Sequence, residues 1–418
     1  MRVLYITSDH YPDDWKVHSN GSQRRRQLFI DAIKEIAEID LLYYVPPGID
    51  TSPTAVETTR DLIRKYWDAK VNLFLCPQNQ HINSLPLWQK HSLGTFSFFK
   101  QWLYAQTSGP EQIKAFEACL SYQPDFIFAQ RLTSMPPVML TAKALPPVFF
   151  DLDDIEHIRF IRQIKTAKSL QSSLYWLHVP ARFWGEYRAI QKSSKTFVCS
   201  ELDKTHLGKH LKLDNVEVIP NSTQIPVEQE ITSVPTLLLL GSYSYGPNIE
   251  AAEFLIEKVL PRVQQVIPQA SLIIAGRNPQ NIRFYSHDIR GVEFLGFVHD
   301  LEKLYLRSRV VCCPIFSGAG TRIKIVEAAA YGKPIVATCI GIEGLQMENG
   351  KHFLLRNEVE EFSEACIELL QDSELCKRLG SSAREQAIKN YEHSSVIQLI
   401  QKSSLSQLKK SEKELLCS

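Results

Sequence analysis

Short apolar runs alternate with helix-length stretches along almost all of this 418-residue chain, and that alternation restricts the fold more than any other feature. The early runs lie at 3–7, 39–45, 71–76, 126–129, 148–152 and 196–200. The later ones lie at 236–240, 271–275, 292–297, 310–314, 335–338 and 352–355. Runs that stay apolar at successive positions, with no in–out alternation, belong to parallel strands covered by helices on both faces. Two such series predict two doubly wound α/β domains. The seam falls between Val218-Ile219-Pro220-Asn221 and Thr236, where Pro220, Pro226 and Pro235 bracket a polar stretch without helical period. The expected organisation is a first domain over 1–220, a linker over 221–235, a second domain over 236–390 and a terminal segment over 391–418. Open α/β sheets bind ligands at the carboxyl ends of their strands, so two such sheets facing each other predict a binding cleft.

Composition narrows the class. Hydrophobic residues make up 44% and charged residues 22%, as in a globular protein with a full core. A net charge of +1 gives no bulk electrostatic case for nucleic acid as a partner. The first apolar run is too short for a signal-peptide core, and no run approaches the roughly 18 apolar residues of a membrane span. The expected location is the cytoplasm, or the inner surface of a membrane by peripheral contact. The nine cysteines form no Cys-x-x-Cys pair and no Cys/His spacing of a zinc site, so they are expected as small buried residues in a reducing compartment.

The chemistry concentrates in residues 317–338, Ser-Gly-Ala-Gly-Thr-Arg-Ile-Lys-Ile-Val-Glu-Ala-Ala-Ala-Tyr-Gly-Lys-Pro-Ile-Val-Ala-Thr. This reads as a glycine loop, a helix, a turn and a short strand. Small residues at Gly318, Ala319 and Gly320 let backbone N–H groups approach a ligand, and the helix start favours an anion. Arg322 and Lys324 add two positive charges. Glu327, one turn on, can accept from a sugar hydroxyl. A diphosphate joined to a ribose satisfies all three features. Gly241-Ser242, ending the run 236–240, and Gly276, ending 271–275, are further candidates for donor contact.

The first half offers an anion or acceptor loop. Gly21 opens a helix, and Arg24, Arg25 and Arg26 in its first turn oppose the helix dipole. Two uses stay open: an anionic partner such as a phosphate, or pairing with Asp13, Asp14 or Asp31. Asp151, Asp153, Asp154 and Glu156 follow the run 148–152. Carboxylates there can orient sugar hydroxyls or supply a base, or they can cap a helix. No metal site is expected, since no Asp-x-Asp triplet lies in a loop with a nucleotide partner. His10, His18 and His157 are lone histidines near expected strand ends. Residues 157–195 hold eight Lys or Arg against one acid, Glu186, with aromatic residues interleaved. Such a stretch fits either a solvated basic face over core aromatics or contact with an anionic lipid surface. The aromatic stretch 93–104 has the same two readings, acceptor pocket or packing.

The 317–338 segment resembles the nucleotide-sugar glycosyltransferases of family 4, also called group 1. Further matching phrases are Leu240-Gly241-Ser242 with Pro247-Asn248, His299-Asp300-Leu301, Gly341-Ile342-Glu343-Gly344-Leu345 and Asn390-Tyr391-Glu392-His393. The resemblance implies a GT-B fold of two Rossmann-like domains, with the donor, a UDP- or GDP-sugar, on the second and the acceptor, a glycan or lipid-linked molecule, on the first. It implies transfer with retention of configuration, no cofactor, no required metal, and a terminal helix crossing back to the first domain. Arg322 and Lys324 would neutralise the departing diphosphate, Glu327 would hold the ribose, and Asp153 would join them in catalysis. Asp154, Gly21 and Arg25 would serve the acceptor side. Many members carry a second glutamate eight positions before the helix glutamate; here that position is Ala319. This departure keeps a second reading open, a catalytically weak partner subunit that binds nucleotide or glycan. An epimerase or phosphorylase of the same fold is a third reading.

Overall fold

The computed structural model describes residues 1–8, 21–166, 174–210, 213–228, 232–318 and 320–416. His10, His18, Asp13, Asp14, Lys168 and Ala319 lie outside the described residues. The chain divides into two compact units: one drawn from Met1–His18, Ser22–Ile219 and Ile397–Ser418, the other from Ser19–Gly21 and Pro220–Val396.

The first unit is built on a seven-stranded sheet. Its strands are β1 (Arg2–Thr7), β2 (Glu38–Val45), β3 (Val71–Pro77), β4 (Phe126–Gln130), β5 (Val148–Asp153), β6 (Lys195–Val198) and β7 (Val216–Val218). They are all parallel, in the order β3-β2-β1-β4-β5-β6-β7. The central strands are apolar at successive positions because helices cover both faces: Val3, Leu4, Tyr5 and Ile6 are all fully buried. Order reverses between β1 and β4, which places the topological switch point at their carboxyl ends. One strand had no counterpart among the apolar runs. β7 is three residues long with Glu217 at its centre, and Glu217 pairs with Lys195 at 2.7 Å. An edge strand with one solvated face needs no apolar run.

The second unit carries a six-stranded sheet. Its strands are β8 (Thr236–Leu240), β9 (Ser271–Ala275), β10 (Val292–Leu295), β11 (Val310–Cys313), β12 (Ile335–Ala337) and β13 (Leu354–Leu355). They are again parallel, in the order β10-β9-β8-β11-β12-β13. Here the switch point lies between β8 and β11. Seven of the eight described cysteines are buried, as expected of small apolar side chains, while Cys339 is exposed; Cys312 and Cys366 sit in this core with thiols 3.9 Å apart and no disulfide.

Residues 221–226 are packed within the second unit. Ser222 Oγ lies 2.9 Å from His393 Nδ1, Thr223 N donates to the Tyr391 carbonyl, and Arg384 Nη2 donates to the Pro226 carbonyl. The last helix, His393–Leu416, begins in the second unit and continues in the first, where Gln401 Nε2 donates to the Ala32 carbonyl and Ser403 Oγ to Glu217.

Candidate functional site

In the second unit the loops that follow β8, β9 and β11 meet at the switch point. Gly276, just after β9, has φ +136°, and a Cβ there would overlap the Gly241 carbonyl oxygen. The turn after β8 can therefore lie directly against the turn after β9 only if position 276 has no side chain. Gly276→Ala should destabilise the protein by about 2 kcal/mol or more, measured as a lower urea midpoint at unchanged m-value.

Gly318 follows the same logic in the loop after β11. Its φ is +108°, and a Cβ would meet the Tyr245 hydroxyl. The loop after β11 thus packs against the loop after β8 at Tyr245. Thr321 Oγ1 accepts from Asn221 Nδ2 at 2.7 Å, and Arg322 Nη1 donates to the Gly320 carbonyl at 2.7 Å. Arg322 stands at the start of the helix Ile323–Ala330, Lys324 in its first turn, and Glu327 is buried further along it.

Lys324 is the most informative side chain of this set. Its Nζ donates to Asn248 Oδ1 at 2.8 Å, and Asn248 Nδ2 donates to the Ser242 carbonyl at 2.9 Å. Among the described residues no carboxylate lies within ion-pair distance of Lys324. Burial pushes its ammonium below the ordinary value, and Arg322 adds to the shift. The nearby Cys313 thiol is itself pushed up by burial and stays neutral. A buried ammonium held only by a neutral amide is left without a counter-charge, which an anion would supply. Nothing in the sequence around Asn248 marks it as a partner of Lys324. Its two hydrogen bonds, across 76 positions in one case, leave no local signal.

The first unit gathers a different cluster. Arg25 is fully buried and points at β5: its Nη2 and Nε donate to Asp151 Oδ1 at 2.6 and 2.8 Å, and its Nη1 to the Ile219 carbonyl at 2.9 Å. Arg26 is also buried, with its guanidinium 4.5 Å over the Trp67 ring. Asp31 pairs with Lys34 at 3.0 Å. Asp151 is the arginine partner that sequence reasoning did not name, although it had singled out the carboxylate. Gly21 is the first residue of the helix Gly21–Lys34 that carries these arginines.

Asp153 ends β5 at a register shift and has φ +62°, which turns its carboxyl away from the regular strand direction. Its Oδ1 accepts from the Cys199 thiol at 3.1 Å, Arg25 Nε stands 3.5 Å away, and Arg131 Nη2 lies 3.7 Å from Oδ2. Burial, then the neighbouring Asp154, pushes the Asp153 carboxyl up to about 7. Because this value is above that of an exposed carboxyl, the folded state keeps a proton that the unfolded chain releases. Stability from this group is full below about pH 4 and falls as pH rises towards 7. Asp153→Asn should flatten that part of the stability–pH curve, measured by thermal unfolding from pH 4 to 8. Asp154 is half-buried just beyond, and Glu156 opens the helix Glu156–Thr166. His157 hydrogen-bonds Glu186. Among the described residues no three His, Cys, Asp or Glu side chains group as a metal site.

These observations define a class: two parallel Rossmann-like sheets in one chain, the GT-B fold. Residues 234–372 match the model of the family Glycosyl transferases group 1. The chain is 28% identical over 213 residues to a phosphatidyl-myo-inositol mannosyltransferase of Mycobacterium leprae, covering 47% of this chain and 55% of that protein. It spans about half the length of the curated relatives it matches, 59% for an uncharacterised glycosyltransferase of Haemophilus influenzae that is 26% identical over 214 residues, or 49% of this chain. Among solved structures, sucrose-phosphate synthase from Thermosynechococcus elongatus superposes with a TM-score of 0.67 at 16% identity, covering 100% of both chains. The Anabaena HepE protein in complex with UDP-glucose superposes with a TM-score of 0.65 at 15% identity, covering 97% of this chain and 100% of that one.

Proposed function

We propose that this protein is a glycosyltransferase that moves a sugar from a nucleoside-diphosphate donor, a UDP- or GDP-sugar, to a hydroxyl of a glycan, glycolipid or lipid-linked acceptor in the synthesis of a surface polysaccharide. The observation that carries the reading is the Arg322–Lys324 pair at the β8–β11 switch point, with Lys324 held by Asn248 alone. In the reaction the anomeric carbon exchanges its bond to a diphosphate oxygen for one to the acceptor oxygen. Charge grows on the departing diphosphate as that bond breaks, and Arg322 and Lys324 are the groups that would stabilise it. Glycines 241, 276, 318 and 320 would leave room for the phosphates, Ser242 and Thr321 would donate to them, and Glu327 would accept from the ribose.

Retention of configuration and independence of metal go with this reading. So does work at the inner face of a membrane by peripheral contact; no described helix is long and apolar enough to cross one. Asp153 and Asp154 are the acceptor-side carboxyls of the proposal, with Asp153 able to hold or release a proton near neutral pH. The test is acceptor-dependent release of free UDP or GDP. Release that requires both donor and acceptor supports transfer; nucleotide binding with no release under any acceptor supports a non-catalytic partner subunit instead.

A further inference from the structure

The first unit holds a cavity of about 400 Å³ that the donor chemistry does not use. The helices Leu87–Phe96 and Val179–Lys192 pack on each other and on the turn Trp176–His178, and the helix Glu156–Thr166 packs on Val179–Lys192. Leu103, Phe160 and Ile164 supply apolar wall, and the polar lining is cationic or neutral: Lys90, Arg159, Arg182, Gln101 and the two histidines 91 and 178. Among the described residues no carboxylate lines it.

Two buried polar groups at this lining lack partners. Arg182 is 8% exposed, lies with its guanidinium 3.6 Å over the Phe160 ring, and has no hydrogen-bond partner at Nε. Gln101 is 2% exposed, and its Oε1 is likewise unpartnered. Arg159 pairs with Glu156 at 2.6 Å, but no carboxylate of the described residues pairs with Arg182. Burial pushes the Arg182 guanidinium below its ordinary value; Glu156 and Glu186 favour its charge from beyond ion-pair distance, and its unbonded Nε leaves it costly until an anion reaches it. His178 stays uncharged, since burial and then His91 push it down to about 4.

The rim says what kind of anion. Leu87, Trp102 and Tyr175 line the cavity and are exposed at 51%, 54% and 37%. Trp88, Trp176 and Trp184 are exposed on the same packed elements. Exposed tryptophans around a cationic pocket match the layer where lipid headgroups meet acyl chains. A freely soluble phosphate would gain nothing from that rim.

We infer that this cavity receives the headgroup of an anionic phospholipid from a bilayer surface, with Arg182 meeting the phosphate and Leu87 and Trp102 entering the interfacial layer. The inference deepens the membrane-side part of the proposed function and rests on it; donor binding by the second unit is independent of it.

The test is vesicle flotation of the full chain with phosphatidylcholine alone and with phosphatidylcholine containing phosphatidylglycerol, alongside UDP and GDP titration of the same samples. The wild type should float with phosphatidylglycerol and not with phosphatidylcholine alone. Arg182→Gln should weaken this roughly tenfold, the loss of one charge-assisted contact. Leu87→Ser with Trp102→Ser should do likewise, and because both positions are exposed this variant decides the matter if Arg182→Gln fails to fold by circular dichroism. Dihexanoyl-phosphatidylglycerol below its micellar concentration should compete with the vesicles, and inorganic phosphate should not. Equal flotation with both vesicles, undiminished flotation of a folded variant, or competition by phosphate as strong as by the short-chain lipid would overturn the inference. Donor titration unchanged in the variants separates this outcome from failure of the transferase reading.

Discussion

Arg322→Ala should lower kcat/KM for donor turnover by roughly 10²–10³-fold, with little change in the unfolding midpoint. The magnitude is that of removing one fixed donor aimed at charge that develops as a bond breaks. The small effect on stability follows from where Arg322 sits. It is half-buried, it caps no helix donor through its side chain, and its Nη1 donates to a carbonyl only two residues away. Nucleotide affinity should fall as well, because ground state and transition state share the diphosphate. The split between KM and kcat then reports how much of the interaction strengthens on the way to the transition state. A variant with full activity would remove Arg322 from the site.

Arg25→Ala should have the opposite profile: a loss of about 3–5 kcal/mol of stability, read as a large drop in the urea midpoint. The change leaves Asp151, fully buried on β5, without its guanidinium. It also strips a donor from the Ile219 carbonyl and brings the Asp153 carboxyl beside an uncompensated charge. Unchanged stability combined with lost ligand affinity would instead make Arg25 an anion-binding residue. The distinction matters because three arginines in the first turn of a helix, against its dipole, look the same in sequence whether they serve a ligand or a buried acid.

That ambiguity marks where the sequence stops being legible. Parallel strands buried on both faces announce themselves as continuous apolar runs, so β1 through β6 and β8 through β13 each fall on a run recognisable beforehand. β7 does not, because an edge strand with Glu217 facing a lysine carries no such run. The glycine loop, Arg322, Lys324 and Glu327 are legible because one short segment contains them all. Their supports are not: Asn248 reaches Lys324 from 76 residues away, Asn221 reaches Thr321 from 100, and Arg25 reaches Asp151 across 126. Nothing local distinguishes those asparagines from loop residues. The aromatic stretches at 93–104 and 157–195 each had two readings, and their side chains divide between core and surface. Phe98 and Tyr104 stack in the core at 4.2 Å, while Trp102 and Trp184 face solvent. Only the fold brings the exposed members of both stretches onto the same packed helices.

The central claim is that the second unit binds a nucleoside diphosphate at the loops after β8 and β11. Calorimetric titration of the purified chain with UDP, GDP, ADP and CMP, on the wild type and on Arg322→Ala, tests it most directly. The account predicts saturable binding of UDP or GDP, negligible binding of CMP, and a loss of at least roughly tenfold in the variant, the effect of one charge-assisted contact to phosphate. Binding of no diphosphate, or equal binding by the variant, would contradict it.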